Sequence, residues 1–95
     1  MKIFADITAF EWDDGNAQKI FDKHGLHQAE CEEVFQDDNR QFFPDIHHSA
    51  NEERYVVIGK TQRGSMLFVA FTVRTNRFRI ISARSINKKE LKLYE

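Results

Sequence analysis

Two short turn sequences constrain this chain more than any other feature. Gln62-Arg63-Gly64 and Thr75-Asn76 separate three runs dense in β-branched and aromatic residues, 53–61, 65–74 and 77–86. Such runs suit a pleated, half-buried surface. Gly64 and Asn76 both accept left-handed backbone, as tight turns require. The stretch therefore reads as three successive antiparallel strands. Loop length sets a register in which Thr61 faces Ser65, Val57 faces Val69 and Arg54 faces Thr72. In the second hairpin Arg74 faces Arg77, Thr72 faces Arg79 and Val69 faces Ser82. Alternation along strands then sorts the side chains. One face collects Tyr55, Val57, Leu67, Val69, Phe71, Val73, Phe78 and Ile80, a core surface. The other collects Arg54, Lys60, Thr72, Arg74, Arg77 and Arg79 around an apolar centre of Val56, Ile58, Phe68, Ala70 and Ile81. Arg84 falls on the core side in this register, a structural position unless the strand bulges. A slip of one residue in either turn would move a whole strand to the other face.

Three arginines meeting near one end of a sheet face require anions or carboxylates close by. The charge distribution sharpens the point. Residues 1–53 hold thirteen acidic and four basic residues, net −9, while residues 54–95 hold ten basic and two acidic, net +8. A basic half suggests an anionic partner, most often nucleic acid. The plainer alternative is that the two halves neutralise each other in the fold.

A chain of 95 residues is expected to form one domain with one modest core. It has no apolar run long enough to cross a membrane and no signal-peptide pattern. Cys31 is the sole cysteine, which excludes an intramolecular disulfide and a cysteine-based zinc cluster, and fits a reducing cytoplasm. His27, His47 and His48 lack a ligand spacing. Neither metal nor cofactor is expected.

Upstream of the strands, the apolar lead-in from Met1 predicts a short strand ending at Glu11-Trp12. Asp13 or Asp14 suits the N-cap of a helix reaching His24, with Ala17, Ile20, Phe21 and His24 as its apolar stripe. Gly25 suits its C-terminal stop. A second helix is expected from His27 or Gln28 to Gln36, with Leu26, Ala29, Val34 and Phe35 inward and Glu30, Glu32 and Glu33 largely outward. Residues 40–45 read as an edge strand carrying Pro44, and 46–52 as a polar loop. Asn87 and Glu90 have the spacing of a capping box for a short last helix bearing Leu91 and Tyr94. The fold class is thus α+β: N-terminal helices packed on a mainly antiparallel sheet, with a short C-terminal helix.

Several stretches coincide with a known pattern. Phe10-Glu11-Trp12-Asp13 is followed by Lys23-His24-Gly25, Glu33-Val34-Phe35, Glu53-Arg54, Ile58-Gly59, Phe71-Thr72, the strand Arg79-Ile80-Ile81-Ser82-Ala83-Arg84, then Glu90 and Tyr94. Order and spacing resemble the BrnT family of type II toxin–antitoxin systems over nearly the whole chain. The pattern departs at Asn16, Ile20 and Ser65, where the family often has Lys, Asn and a basic residue. The resemblance implies a RelE-like ribonuclease toxin that cleaves RNA without metal. Its partner would be a small DNA-binding BrnA-like antitoxin, so that DNA is met only indirectly.

Such cleavage needs a base for the 2′-hydroxyl, cations for the pentavalent phosphate and an acid for the leaving oxygen. With the resemblance, Arg79 becomes the candidate phosphate stabiliser, since its planar fork matches phosphate oxygens. Glu53 is the candidate base. Lys23 is a candidate clamp or proton donor, and Arg63 a candidate contact to the RNA backbone. Arg54, Arg74 and Arg77 would bind RNA on the same basic face. Each has a plainer role: Arg79 as partner of a helix carboxylate, Glu53 in a surface ion pair, Lys23 as a cation at a helix C-terminus, Arg63 as a solvated turn residue. His24 is expected to pack, or to titrate in the catalytic range. A different class also fits the basic face: a non-catalytic domain that binds a protein or RNA.

Overall fold

The computed structural model describes residues 4, 6–13, 15–46 and 52–95. His47 and His48, most of the expected polar loop, Asp14 and the lead-in residues 1–3 and 5 lie outside the described residues. Among the described residues five strands form one mixed sheet. They are β1 (Phe10–Trp12), β2 (Gln41–Pro44), β3 (Tyr55–Lys60), β4 (Met66–Arg74) and β5 (Arg77–Ser85), in spatial order β1-β5-β4-β3-β2. Three pairings are antiparallel, while β1 runs parallel to β5. The helices are α1 (Asn16–His24), α2 (Gln28–Glu33), which tightens into a 3-10 turn over Val34–Gln36, and α3 (Lys88–Tyr94).

The hairpin turns carry the chemistry their geometry demands. Gly64 sits at φ +92, and Thr75 and Asn76 sit at φ +50 and +60. Two successive left-handed residues match the right-handed twist of the strands they join. The resulting pairings place Val57 opposite Val69, Arg74 opposite Arg77 and Thr72 opposite Arg79, as the loop lengths predict. The register then shifts. Phe71 pairs with Ile80 but Ala70 pairs with Ser82, so Ile81 is an extra residue in β5. Val69 consequently faces Ala83 rather than Ser82, and Arg84 turns away from the core. The one-residue bulge is the physical reason.

The core joins Val57, Leu67, Val69, Phe71, Phe78, Ile80 and Ala83 of the sheet to Ile20, Leu26, Cys31, Val34 and Phe35. Phe4 also enters it, with its ring 5.0–5.8 Å from those of Phe42, Tyr55, Phe71 and Phe78. Phe35 sits 4.5 Å from Phe78 and 5.1 Å, edge-on, from Phe71. Aromatic pairs of this kind each add about 0.5–1.5 kcal/mol beyond buried area. Gly59 lets the 3-10 turn come down on β3. A Cβ there would lie 2.7 Å from the Val34 carbonyl oxygen.

Several helix expectations need correction. Gly15, at φ +88, is the N-cap of α1 and offers no side-chain cap. Asp13 does not cap, because its carboxylate is drawn to Arg79. Gly25 does stop the helix, donating its N–H to Phe21 at 2.8 Å. Of the expected apolar stripe only Ile20 is buried, and His24 is exposed rather than packed. In α2 the buried residue is Cys31, while Ala29 is exposed. The acidic residues of α2 are also less outward than expected. Glu32 accepts the Trp12 indole N–H at 2.8 Å, and Glu33 accepts the Gln62 N–H at 3.1 Å. The capping box of α3 forms between Asn87 and Glu90.

Candidate active site

The sheet face away from Phe71 and Phe78 bears a groove of about 470 Å³. Its floor is Val56, Ile58, Phe68, Ala70 and Ile81, the apolar centre read from strand alternation. Arg54 and Arg84 stand in its walls, and Leu93 of α3 lines it too. Arg84 reached this face through the bulge. Its guanidinium lies 4.1 Å from the Phe68 ring centre and donates to both Glu90 oxygens at 2.8 and 2.6 Å.

Past the groove, towards the β4–β5 turn, lies a denser charge cluster. Arg79 and Thr72 are direct cross-strand partners and so share this face. Glu11, the middle residue of β1, stands beside Arg79 in the parallel pairing. Its carboxylate accepts from Nη1 of Arg79, while Nη2 pairs with Asp13. The Arg79 partners thus come from β1 and the segment after it, not from a helix. The Arg79 side chain is only 18 % exposed. Arg74, opposite Arg77, makes a bidentate pair with Glu52 at 2.6 and 2.9 Å. That hydrogen-bonded partner, then its charge, raises the Arg74 pKa above its ordinary value, with a smaller contribution from Glu11.

The other expected site residues do not join this cluster. Thr72 donates its hydroxyl to the Glu53 carbonyl at 2.6 Å, which keeps the Glu53 backbone near. The Glu53 carboxylate, however, accepts the Tyr55 hydroxyl at 2.5 Å. Tyr55 packs against Phe4 and Phe71 on the core side, so the sheet stands between Glu53 and Arg79. Alternation is the cause, since residues two apart share a face. Arg63 occupies the β3–β4 turn, is 76 % exposed and lies 4.0 Å from Glu30. Six residues of β4 separate that turn from Thr72, roughly 20 Å of strand.

Lys23, in the last turn of α1, lies at a third place. Beyond Ile80, β1 no longer covers β5, and α1 lies against it, with Asn16 donating to the Ile80 carbonyl at 3.3 Å. Asn16, Lys19, Lys23 and His24 line a small cavity there with Ile81, Ser82 and Ala83. Lys23 is thus next to the bulge, about three residues or roughly 10 Å along β5 from Arg79.

Glu11 and Asp13 are the site residues that sequence reasoning missed. Their signal was the Phe-Glu-Trp-Asp run, in which acidic and aromatic residues alternate, as they must on a two-faced strand. Cys31 is no nucleophile. Burial, with smaller contributions from Glu30 and Glu32, pushes its thiol up to about 12. Among the described residues no group of three or more His, Cys, Asp or Glu is arranged to hold a metal ion. No helix among them is long and apolar enough to cross a membrane.

Comparison with known proteins adds to this geometry. The family described as "Ribonuclease toxin, BrnT, of type II toxin-antitoxin system" matches residues 12–90. A crystal structure of the Brucella abortus ribonuclease toxin BrnT is 25% identical to the chain. It superposes with a TM-score of 0.64, covering 85% of this chain and 99% of the Brucella one. A comparison with curated proteins returned no match. The family model spans α1, α2, strands β2 to β5 and the start of α3, together with Arg79 and Asp13, and the chain belongs to the BrnT family of ribonuclease toxins of type II toxin–antitoxin systems.

Proposed function

We propose that this protein is a metal-independent endoribonuclease with a RelE-like plan, a single toxin domain acting in the cytoplasm. Its cleavage of RNA blocks translation and growth until a cognate BrnA-like antitoxin binds it, and DNA is met only through that antitoxin. The observation that carries the reading is Arg79. It is a largely buried guanidinium in mid-strand, facing outward, beside Thr72 and within one turn of Arg74 and Arg77. A fork fixed this way suits a phosphorane, whose charge must be met without reorganisation. Arg74, Arg77 and Arg54 continue the face along which an RNA backbone would run. Lys23 adds a cation beside the bulge. Arg63 serves RNA binding at the margin in this reading, and Glu53, engaged by Tyr55 on the other side of the sheet, takes no part in it.

The antitoxin is proposed to cover the basic face, including the groove floored by Val56, Ile58, Phe68, Ala70 and Ile81. One observation favours a second reading, binding without cleavage. Arg74, Arg79 and Arg84 all have carboxylate partners within the chain. Inducible expression with and without the neighbouring antitoxin frame, followed by RNA analysis, separates the two. The toxin reading expects growth arrest and RNA cleavage relieved by the antitoxin. The purified protein should cleave equally with and without EDTA. Bound but intact RNA would favour the second reading, and loss of activity in EDTA would remove metal independence.

A further inference from the structure

Arg79 is not an open cation. Its two terminal nitrogens are taken by two different carboxylates, Glu11 at Nη1 and Asp13 at Nη2. These carboxylates are held differently. Glu11 is locked in β1, in register with Arg79, so backbone pairing fixes its direction. Asp13 lies just past the end of the strand and is the more exposed of the two, 43 % against 34 %. A phosphodiester has the charge of a carboxylate and presents two oxygens to the same guanidinium fork. Nucleic acid that reaches Arg79 must therefore exchange with one of the two, and Asp13 is the one free to swing. Glu11 would remain, beside the bound phosphate. The carboxylate first considered as base, Glu53, is held on the opposite side of the sheet by Tyr55.

We propose that Asp13 keeps the place of the scissile phosphate on Arg79, and that Glu11 is the base that takes the 2′-hydroxyl proton once RNA has displaced Asp13. This rests on the ribonuclease reading above. In the step, the 2′ oxygen loses its proton to the Glu11 carboxylate and bonds to phosphorus. The bond from phosphorus to the 5′ oxygen breaks, and that oxygen takes a proton from water. The products are a 2′,3′-cyclic phosphate and a 5′-hydroxyl, and Glu11 returns its proton to the hydroxide left behind.

The test uses the purified full chain, an RNA oligonucleotide and its uncleavable 2′-O-methyl counterpart. Asp13→Asn removes the competing charge and should bind the 2′-O-methyl strand more tightly, by up to about tenfold. Glu11→Gln should bind it at least as well as the parent but cleave RNA about 10²–10⁴-fold more slowly, the usual scale for a positioned base. It should also lose the acidic limb of the rate–pH profile. Glu11→Asp keeps a carboxylate, so an intermediate rate with that limb retained is expected. Thermal melting of each variant checks that the fold survives. Parental cleavage by Glu11→Gln overturns the base assignment, and weaker binding by Asp13→Asn overturns the displacement. Should Glu11→Gln fail to fold, a Glu11→Asp profile without an acidic limb overturns the assignment in its place. Should the parental protein cleave no RNA, the ribonuclease reading falls and takes the Glu11 role with it, while the binding comparison still decides the role of Asp13.

Discussion

Arg84 lies over the Phe68 ring while its fork holds both oxygens of Glu90, so one guanidinium fastens α3 to the outer face of β4. Glu90 also closes the α3 capping box by accepting the Asn87 N–H at 2.9 Å. Glu90→Ala should therefore cost about 1–2 kcal/mol, more than an ordinary exposed pair. The Arg84 hydrogen bonds hold the Glu90 carboxyl below its usual value, outweighing the upward push of burial. A depressed folded-state pKa means stability that is present above the unfolded value, about 4.5, and lost as pH falls through the folded value. Denaturant titrations from pH 7 downward should show the Glu90→Gln penalty in full at neutral pH and shrinking as the pH falls below 4.5.

Gly59 is required by proximity rather than by backbone angle. Adding one methyl group would meet a backbone carbonyl, which cannot swing aside as a side chain can. Gly59→Ala should destabilise by about 1–3 kcal/mol, the scale of overpacking. Thermal unfolding of the purified variant reads this directly. An unchanged melting temperature would mean that the 3-10 turn slides freely on β3.

Thr75 offers the opposite sign. A β-branched residue at φ +50 occupies a conformation that asparagine accepts more readily. Thr75→Asn should stabilise by roughly 0.5–1 kcal/mol. The check is the denaturation midpoint, with cleavage expected to stay at the parental rate.

Arg79→Ala should slow RNA cleavage by about 10²–10³-fold, as expected for removal of one transition-state stabiliser. Arg79→Lys should recover only part, because lysine keeps the charge but lacks the fork. Rates are to be compared on folded protein, since Arg79→Ala leaves Glu11 and Asp13 without their shared cation. Parental cleavage by a folded Arg79→Ala variant would place the chemistry elsewhere.

Arg63 gives a contrasting kinetic signature. At the far end of β4 it can touch RNA but not the scissile bond of a phosphate on Arg79. Arg63→Ala should raise KM with kcat unchanged, the mark of lost uniform binding. A fall in kcat alone would show that the β3–β4 turn takes part in the reaction.

The sequence was most informative where local rules are strict. Turn length and alternation placed Thr72 against Arg79, and Gly25 marked the end of α1. The register was lost at Ile81, because no residue type announces a bulge: isoleucine fits a regular strand equally well. Helix faces were less legible. Ala17, Ile20, Phe21 and His24 share one stripe, yet only Ile20 is buried, and His24 stays exposed at the rim of the small cavity between α1 and β5. The candidate site was legible in its cations and obscure in its anions. Arginines on a strand stand out, whereas Glu11 and Asp13 come from the other end of the chain, brought in by a parallel pairing that no local pattern signals.

Ile81 divides β5 into two segments of opposite parity. Before it, odd-numbered residues point outward; after it, even-numbered ones do. Pairing all of β5 regularly, with Ile81 opposite Ala70, would turn Arg84 inward and Ala83 outward, setting a guanidinium where a methyl group now packs. Deleting Ile81 should instead leave a regular strand in which Ser82 still pairs with Ala70, Ala83 still packs and Arg84 still faces the groove. Relatives should therefore be able to differ by one residue between Arg79 and Arg84 without exchanging the two faces.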